Sequence, residues 1–114
     1  MDIAAGVLEL DMVAEVVAGK KFEPYDTGLP DGLNTDEDGT LGYIKGGFLH
    51  KEDGPAVITT NGDKVYWVDG LPHRLDGPAV ERVFGNSEWW INGYCLDCKT
   101  QEEFEQLIRL KSFW

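Results

Sequence analysis

Between residues 40 and 96 apolar and polar side chains alternate in short runs, and each run ends at a glycine-containing pair. Residues 57–60 are rich in β-branched side chains and run into Asn61-Gly62, a pair that accepts the positive φ angles of a tight hairpin. Residues 64–68 return and stop at Asp69-Gly70. Residues 79–84 then lead to Gly85-Asn86, and residues 88–91 end at Asn92-Gly93. Period-two alternation between such turns predicts short antiparallel strands.

The flanks have a different period. Ile3, Val7, Leu10, Ala14 and Val17 form an i, i+4, i+7 stripe with Gly19 at its end, which predicts an N-terminal helix over residues 1–19. Leu8, Leu10, Met12, Ala14 and Val16 also alternate, so a strand there stays open. Thr100 and Glu103 have capping-box spacing and open a second helix, residues 100–111, with Phe104, Leu107 and Ile108 on its apolar face. Residues 20–36, turn-rich and acidic, read as a loop.

The strand region repeats itself. His50 and His73, Gly54 and Gly77, Trp67 and Trp90, and Gly70 and Gly93 are each 23 residues apart, and Gly39, Tyr43 and Gly47 extend the series backwards. Self-similarity at a fixed period marks a stack of like units. The expected fold is therefore α+β and mainly β. An antiparallel meander of 23-residue hairpin repeats over residues 37–96 sits between short terminal helices, in a single domain of 114 residues. Alternation puts Tyr43, Tyr66 and Trp89, with Lys45, Val68 and Ile91, on one face, read as core. Ile44, Trp67 and Trp90 fall on the other, which the terminal segments would have to cover.

Charge narrows the function classes. The net charge is −11, and residues 1–40 hold ten acids against Lys20 and Lys21. A generic nucleic-acid binder needs a basic face, and an anionic membrane surface repels such a chain. The N-terminus has no basic residue before its apolar stretch and no apolar run reaches membrane-spanning length, so the expected location is cytoplasmic.

Candidate chemistry is sparse. Asn34, Asp36, Asp38, Gly39 and Leu41 match part of a calcium loop, but Lys45 stands where a bidentate glutamate is required. Cys95 and Cys98 form a CxxC without the extra ligands of a zinc site, and read as reduced structural thiols. The two histidines recur at equivalent positions with no nucleophile in constant relation to them, which suits a bond to a neighbouring strand. No catalytic residues, metal or cofactor are expected.

His-x-x-Asp-Gly-Pro-Ala followed by an aromatic pair and Asn-Gly or Asp-Gly, carried by residues 50–56 with Tyr66, Trp67 and Asp69-Gly70 and by residues 73–79 with Trp89, Trp90 and Asn92-Gly93, resembles the MORN-repeat variant of phage and large-virus proteins. Residues 101–104 are similar to the usual ending of such proteins, and the resemblance covers roughly residues 37–106. It implies a β-hairpin scaffold used for protein or lipid contact, and a phage-encoded chain in the host cytoplasm. It names no activity.

Together these observations lead to the expectation of a non-catalytic protein-binding module, an acidic nucleic-acid mimic. It would inhibit a basic, nucleic-acid-binding host protein such as a CRISPR effector or restriction enzyme, with no direct nucleic-acid or membrane contact. The expected partner-binding residues are Glu9, Asp11, Glu15, Asp36, Glu37 and Asp38, with Trp67 and Trp90 as exposed aromatic anchors. The alternative is an assembly protein that forms homo-oligomers, or adds to a virion protein, through its sheet edges.

Overall fold

The structure, a computed structural model, describes residues 22–109. The predicted N-terminal helix and Glu9, Asp11 and Glu15 lie outside the described residues. Ten short strands and one helix follow in chain order: β1 (Gly32–Thr35), β2 (Leu41–Lys45), β3 (Phe48–Leu49), β4 (Val57–Ile58), β5 (Lys64–Val65), β6 (Trp67–Val68), β7 (Leu71–Pro72), β8 (Val80–Glu81), β9 (Trp89–Ile91), β10 (Tyr94–Leu96) and α1 (Gln101–Arg109). The described chain is mainly β and antiparallel, with one C-terminal helix. No helix among the described residues is long and apolar enough to cross a membrane.

The strands do not form one continuous meander. A six-stranded sheet runs β1-β2-β4-β5-β8 with β3 beside β2, while β6–β7 and β9–β10 are separate hairpins. The cause is visible in β2. Its first half, Leu41 and Gly42, pairs with β4, and its second half, Ile44 and Lys45, pairs with β3. Tyr43 stands between, its N–H donating to Ala56 O at 2.8 Å and its carbonyl accepting from His50 N at 3.0 Å. Tyr66, 23 residues on, repeats this with Ala79 O at 2.7 Å and His73 N at 3.0 Å. There the division is complete enough that β5 and β6 are distinct strands. Residues 32–35, expected to belong to the acidic loop, are instead a strand, because their backbone pairs in register with residues 41–44.

Two-residue turns close the hairpins at Gly46-Gly47, Asp69-Gly70 and Asn92-Gly93, and both central residues of each have positive φ. This is the type I′ geometry that matches strand twist. Asp69 and Asn92, the non-glycine residues with positive φ, are each fixed from outside. The His50 Nδ1 accepts the Asp69 N–H and the His73 Nδ1 accepts the Asn92 N–H, both at 3.0 Å. The repeated histidines therefore do bond to the neighbouring hairpin, as their spacing suggests.

Residues 22–27 run across these turns. Phe22 N donates to Gly93 O at 2.7 Å, Thr27 N donates to Gly47 O at 2.7 Å, and Pro24 lies against Gly70. A Cβ at Gly93 would stand 2.9 Å from the Phe22 carbonyl, and one at Gly47 would collide with the Asp26 carboxylate, so the close approach requires glycine.

The expected assignment of faces is reversed in the first two hairpins, whereas Trp89 and Ile91, expected in the core, are buried. Ile44, Trp67 and Trp90 point into the main core with Phe22, Leu49, Ala56, Val57, Val65, Ala79, Val80 and Cys95. The Phe22 ring meets Trp67 edge-on at 5.0 Å. Tyr43 and Tyr66 lie on the outer side, half-buried, each beneath a cation: Lys51 Nζ and the Arg74 guanidinium are 4.0 Å from the respective ring centres. A cation over an aromatic face shields it without a second layer, which period-two alternation cannot reveal. Among the described residues, only the last hairpin has an apolar cover on its outer face. Trp89, Ile91 and Leu96 pack on Phe104 of α1. The helix starts as predicted, with Thr100 Oγ1 accepting the Glu103 N–H at 3.1 Å and Glu103 Oε1 accepting the Lys99 N–H at 2.9 Å.

Two measurements follow. The Trp90 indole N–H donates to Glu88 at 3.0 Å, whereas the buried Trp67 indole N–H has no partner among the described residues. Trp90→Phe should therefore cost about 1 kcal/mol more than Trp67→Phe in urea unfolding, the net worth of one hydrogen bond; equal costs would contradict the bond. Burial holds the His73 imidazole below its usual pKa. The folded state then binds its proton less readily than the unfolded state, so this contribution is present above about pH 6.5 and is lost as pH falls through that value. The thermal midpoint should drop between pH 7.5 and 5.5, and His73→Asn, which offers an acceptor that does not titrate, should reduce that drop.

Candidate functional site

Longer turns lie at the opposite end of β2 from Gly46-Gly47, and they form a row. The first, residues 36–40, joins β1 to β2, the second, residues 59–63, joins β4 to β5, and the third, residues 82–87, follows β8. They are offset by 23 residues and share one design. Gly39 N donates to Asp36 O and Gly62 N to Thr59 O, with φ positive at Gly39, Gly62 and Gly85. Because β1-β2-β4-β5-β8 are neighbours and antiparallel, all these turns emerge from one end of the sheet. They also touch. The Cβ position of Gly39 is 3.1 Å from the Thr60 methyl, and that of Gly62 is 3.2 Å from a Val83 methyl.

The tips differ along the row. Glu37 and Asp38 cap the first turn, Thr60 and Asn61 the second, and Val83 and Phe84 the third, all exposed. Phe84 is 82% exposed, more than any other large hydrophobic residue among those described. The rim therefore grades from carboxylate through neutral polar to aromatic.

Internal carboxylates set the shape of these turns. Asp36, expected at the partner surface, is only 8% exposed. Its Oδ1 accepts the Asp38 and Thr40 N–H groups at 3.1 Å. Burial and the hydrogen bond with Asp38 push the Asp36 carboxyl up, while Asp36 and the Thr40 amide hold Asp38 down, so Asp38 keeps its charge. The same bonds occupy Asp36 Oδ1, one of the oxygens that a calcium loop would need. Among the described residues no group of three or more His, Cys, Asp or Glu is placed to hold a metal. Asp63, likewise buried, accepts the Val83 N–H at 2.7 Å and so ties the second turn to the third. Arg82 closes the third turn, donating to Asn86 O at 2.7 Å and to Glu88 Oε2 at 2.9 Å.

Trp67 and Trp90, expected as exposed anchors, are 2% and 0% exposed. They belong to the core because they share the inward face with Ile44. Of the predicted interaction residues, Glu37 and Asp38 remain at the surface, and the structure brings them into one rim with Phe84. Sequence reasoning missed Phe84, although the 23-residue alignment placed it opposite Asn61, an apolar residue where the equivalent turn is polar.

Elsewhere charge is consumed internally. A groove of about 400 Å³ is lined by Lys51, Asp53, Tyr66, His73, Arg74 and Asp76. Lys51 pairs with Asp53 at 3.6 Å, and Arg74 pairs with Asp76 at 2.9 Å and with Glu81 at 2.8 Å. The Arg74 guanidinium holds the Asp76 carboxyl below the usual range. Among the described residues, no Lys or Arg pairs with Glu23, Asp26, Asp31, Glu37 or Asp38. Cys95 and Cys98 are free thiols, pushed up to about 12 and about 11, chiefly by burial. A nucleophilic or redox cysteine needs a lowered pKa, so the pair is poorly suited to that chemistry.

Removing the Asp63 carboxylate should loosen the third turn. Asp63→Ala leaves the Val83 N–H without its acceptor, which should cost about 1–3 kcal/mol of stability and speed hydrogen exchange at Val83. An unchanged exchange rate there would rule out the tie between the turns.

No protein family, no curated protein and no solved structure matches the chain.

Proposed function

We propose that this chain is a non-catalytic protein-binding module that offers exposed carboxylates to the basic surface of a nucleic-acid-binding protein and blocks that surface. One observation carries the reading. The carboxylates of Glu23, Asp26, Asp31, Glu37 and Asp38 are exposed without a described cationic partner, whereas Lys51, Arg74 and Arg82 are occupied by the molecule's own acids. The net charge of −11 leaves a surplus of exposed carboxylates, among which Glu37 and Asp38 stand together at the long-turn end, and it suits fast, steered capture of a lysine- or arginine-rich groove. The MORN-like motif fits a phage-encoded inhibitor acting in the host cytoplasm, with a CRISPR effector or restriction enzyme as the target class. Glu37 and Asp38 are the described residues that carry the contact.

A second reading is supported by the position of β1 at the sheet's edge with Leu33 exposed, which suits self-association or addition to a virion protein. A defined oligomer in light scattering would favour it, although like charges oppose the approach of a second copy.

The leading reading is tested by affinity capture from host lysate over a salt series, followed by titration of the purified partner. Binding should weaken at least tenfold between low and high salt, since exposed ion pairs are screened beyond about 10 Å at 0.1 M. Glu37→Gln/Asp38→Asn should lower the association rate with little change in the thermal midpoint. Salt-independent binding would sink the electrostatic mechanism.

A further inference from the structure

We propose that Phe84, with Val83, is the apolar anchor of this interface and inserts into an apolar pocket on the basic partner, at the far end of the surface whose lysine or arginine receives Glu37 and Asp38. The inference rests on the function proposed above and names the contact that charge alone does not supply.

Phe84 is held out rather than left loose. Three bonds fix the turn beneath it: Asp63 takes the Val83 N–H, and Arg82 bonds both the Asn86 carbonyl and Glu88. An aromatic side chain on a pinned backbone has little left to lose in ordering when it binds. The equivalent tips carry Asn61 and Asp38, so the turn design does not require an aromatic at this place. Exposing a phenyl ring without need is a liability that a surface Asn or Asp avoids.

Charge complementarity identifies the occupant. Successive turns are two strands apart, about 10 Å, which puts the Glu37–Asp38 tip about 20 Å from Phe84 along one rim. A partner that covers the rim meets carboxylates at one end and an aromatic at the other. A second copy of this chain would bring a further −11 charge against the same rim, so the complementary surface is cationic at one end and has an apolar recess at the other. Aromatic residues seated in such recesses carry most of the binding energy in protein interfaces.

The test uses the full chain and two synthetic probes, a lysine-rich peptide with a central leucine cluster and its counterpart with glycine in place of leucine. The wild-type protein should bind the leucine peptide about tenfold more tightly than the glycine peptide. Phe84→Ser should erase that preference while leaving both the glycine-peptide affinity and the thermal midpoint unchanged. Amide shifts on titration should concentrate at residues 37–39, 60–62 and 83–86. A leucine preference that survives Phe84→Ser, or its absence from the wild type while both peptides still bind in a salt-dependent manner, overturns the anchor and leaves the electrostatic reading standing. Failure to bind either peptide at low salt overturns both.

Discussion

The structure depends on a division of hydrogen bonds within a single strand. The stretches 41–45 and 64–68, which return from the first two long turns, each give their first half to the next long hairpin and their second half to a two-residue hairpin. A tyrosine at the midpoint bonds Ala56 or Ala79 in one direction and His50 or His73 in the other. Because strands are only two to five residues long, no pairing is extensive by itself. Stability comes instead from linking small ladders: Gly70 N to Leu49 O and Gly93 N to Pro72 O join successive tight turns, and residues 22–27 bind across them. Short strands marginal alone become cooperative when each shares a residue with the next.

That division also sorts the two ends of the sheet by physical task. At the tight-turn end, glycines give way to a crossing segment, and the imidazole acceptors of His50 and His73 secure left-handed Asp69 and Asn92. At the long-turn end, buried carboxylates of Asp36 and Asp63 satisfy backbone N–H groups, while Glu37, Thr60, Val83 and Phe84 project into solvent above them. Residues 22–27 cover the tight-turn end, whereas the tips of the long turns are exposed. The carboxylates accordingly differ in exposure: Asp36 and Asp63 are buried in the turns they shape, whereas Asp26, Asp31 and Asp38 accept backbone N–H groups and still face solvent.

Much of this was legible in the residues. Asn-Gly, Asp-Gly and Gly-Gly pairs mark their own turns because few other residues tolerate their φ angles. The Thr100 and Glu103 pair marks the start of α1 because capping is a local interaction. The histidines' recurrence pointed to a bond with a neighbouring hairpin for a similar reason, since a contact repeated at a fixed offset is local to the stack. Asp36 departs from its expected place at the surface because the turn draws its carboxylate inward to accept two backbone N–H groups, which net charge does not reveal.

The face of the sheet was not legible, and neither was the rim. Alternation separates Tyr43, Tyr66 and Trp89 from Ile44, Trp67 and Trp90, but it carries no sign, and both sets contain aromatics. Packing supplied the sign. Phe22 closes over Trp67 from a segment that reads as loop, while Lys51 and Arg74 lie across the tyrosines. The sequence by itself determined a 23-residue periodicity, the turn positions and a strong negative charge, because each is a property of neighbours in the chain. Tertiary structure decided which aromatics are buried, which carboxylates stay free, and that Glu37, Asp38 and Phe84 share one edge, because those follow from strand order among residues nearly fifty positions apart.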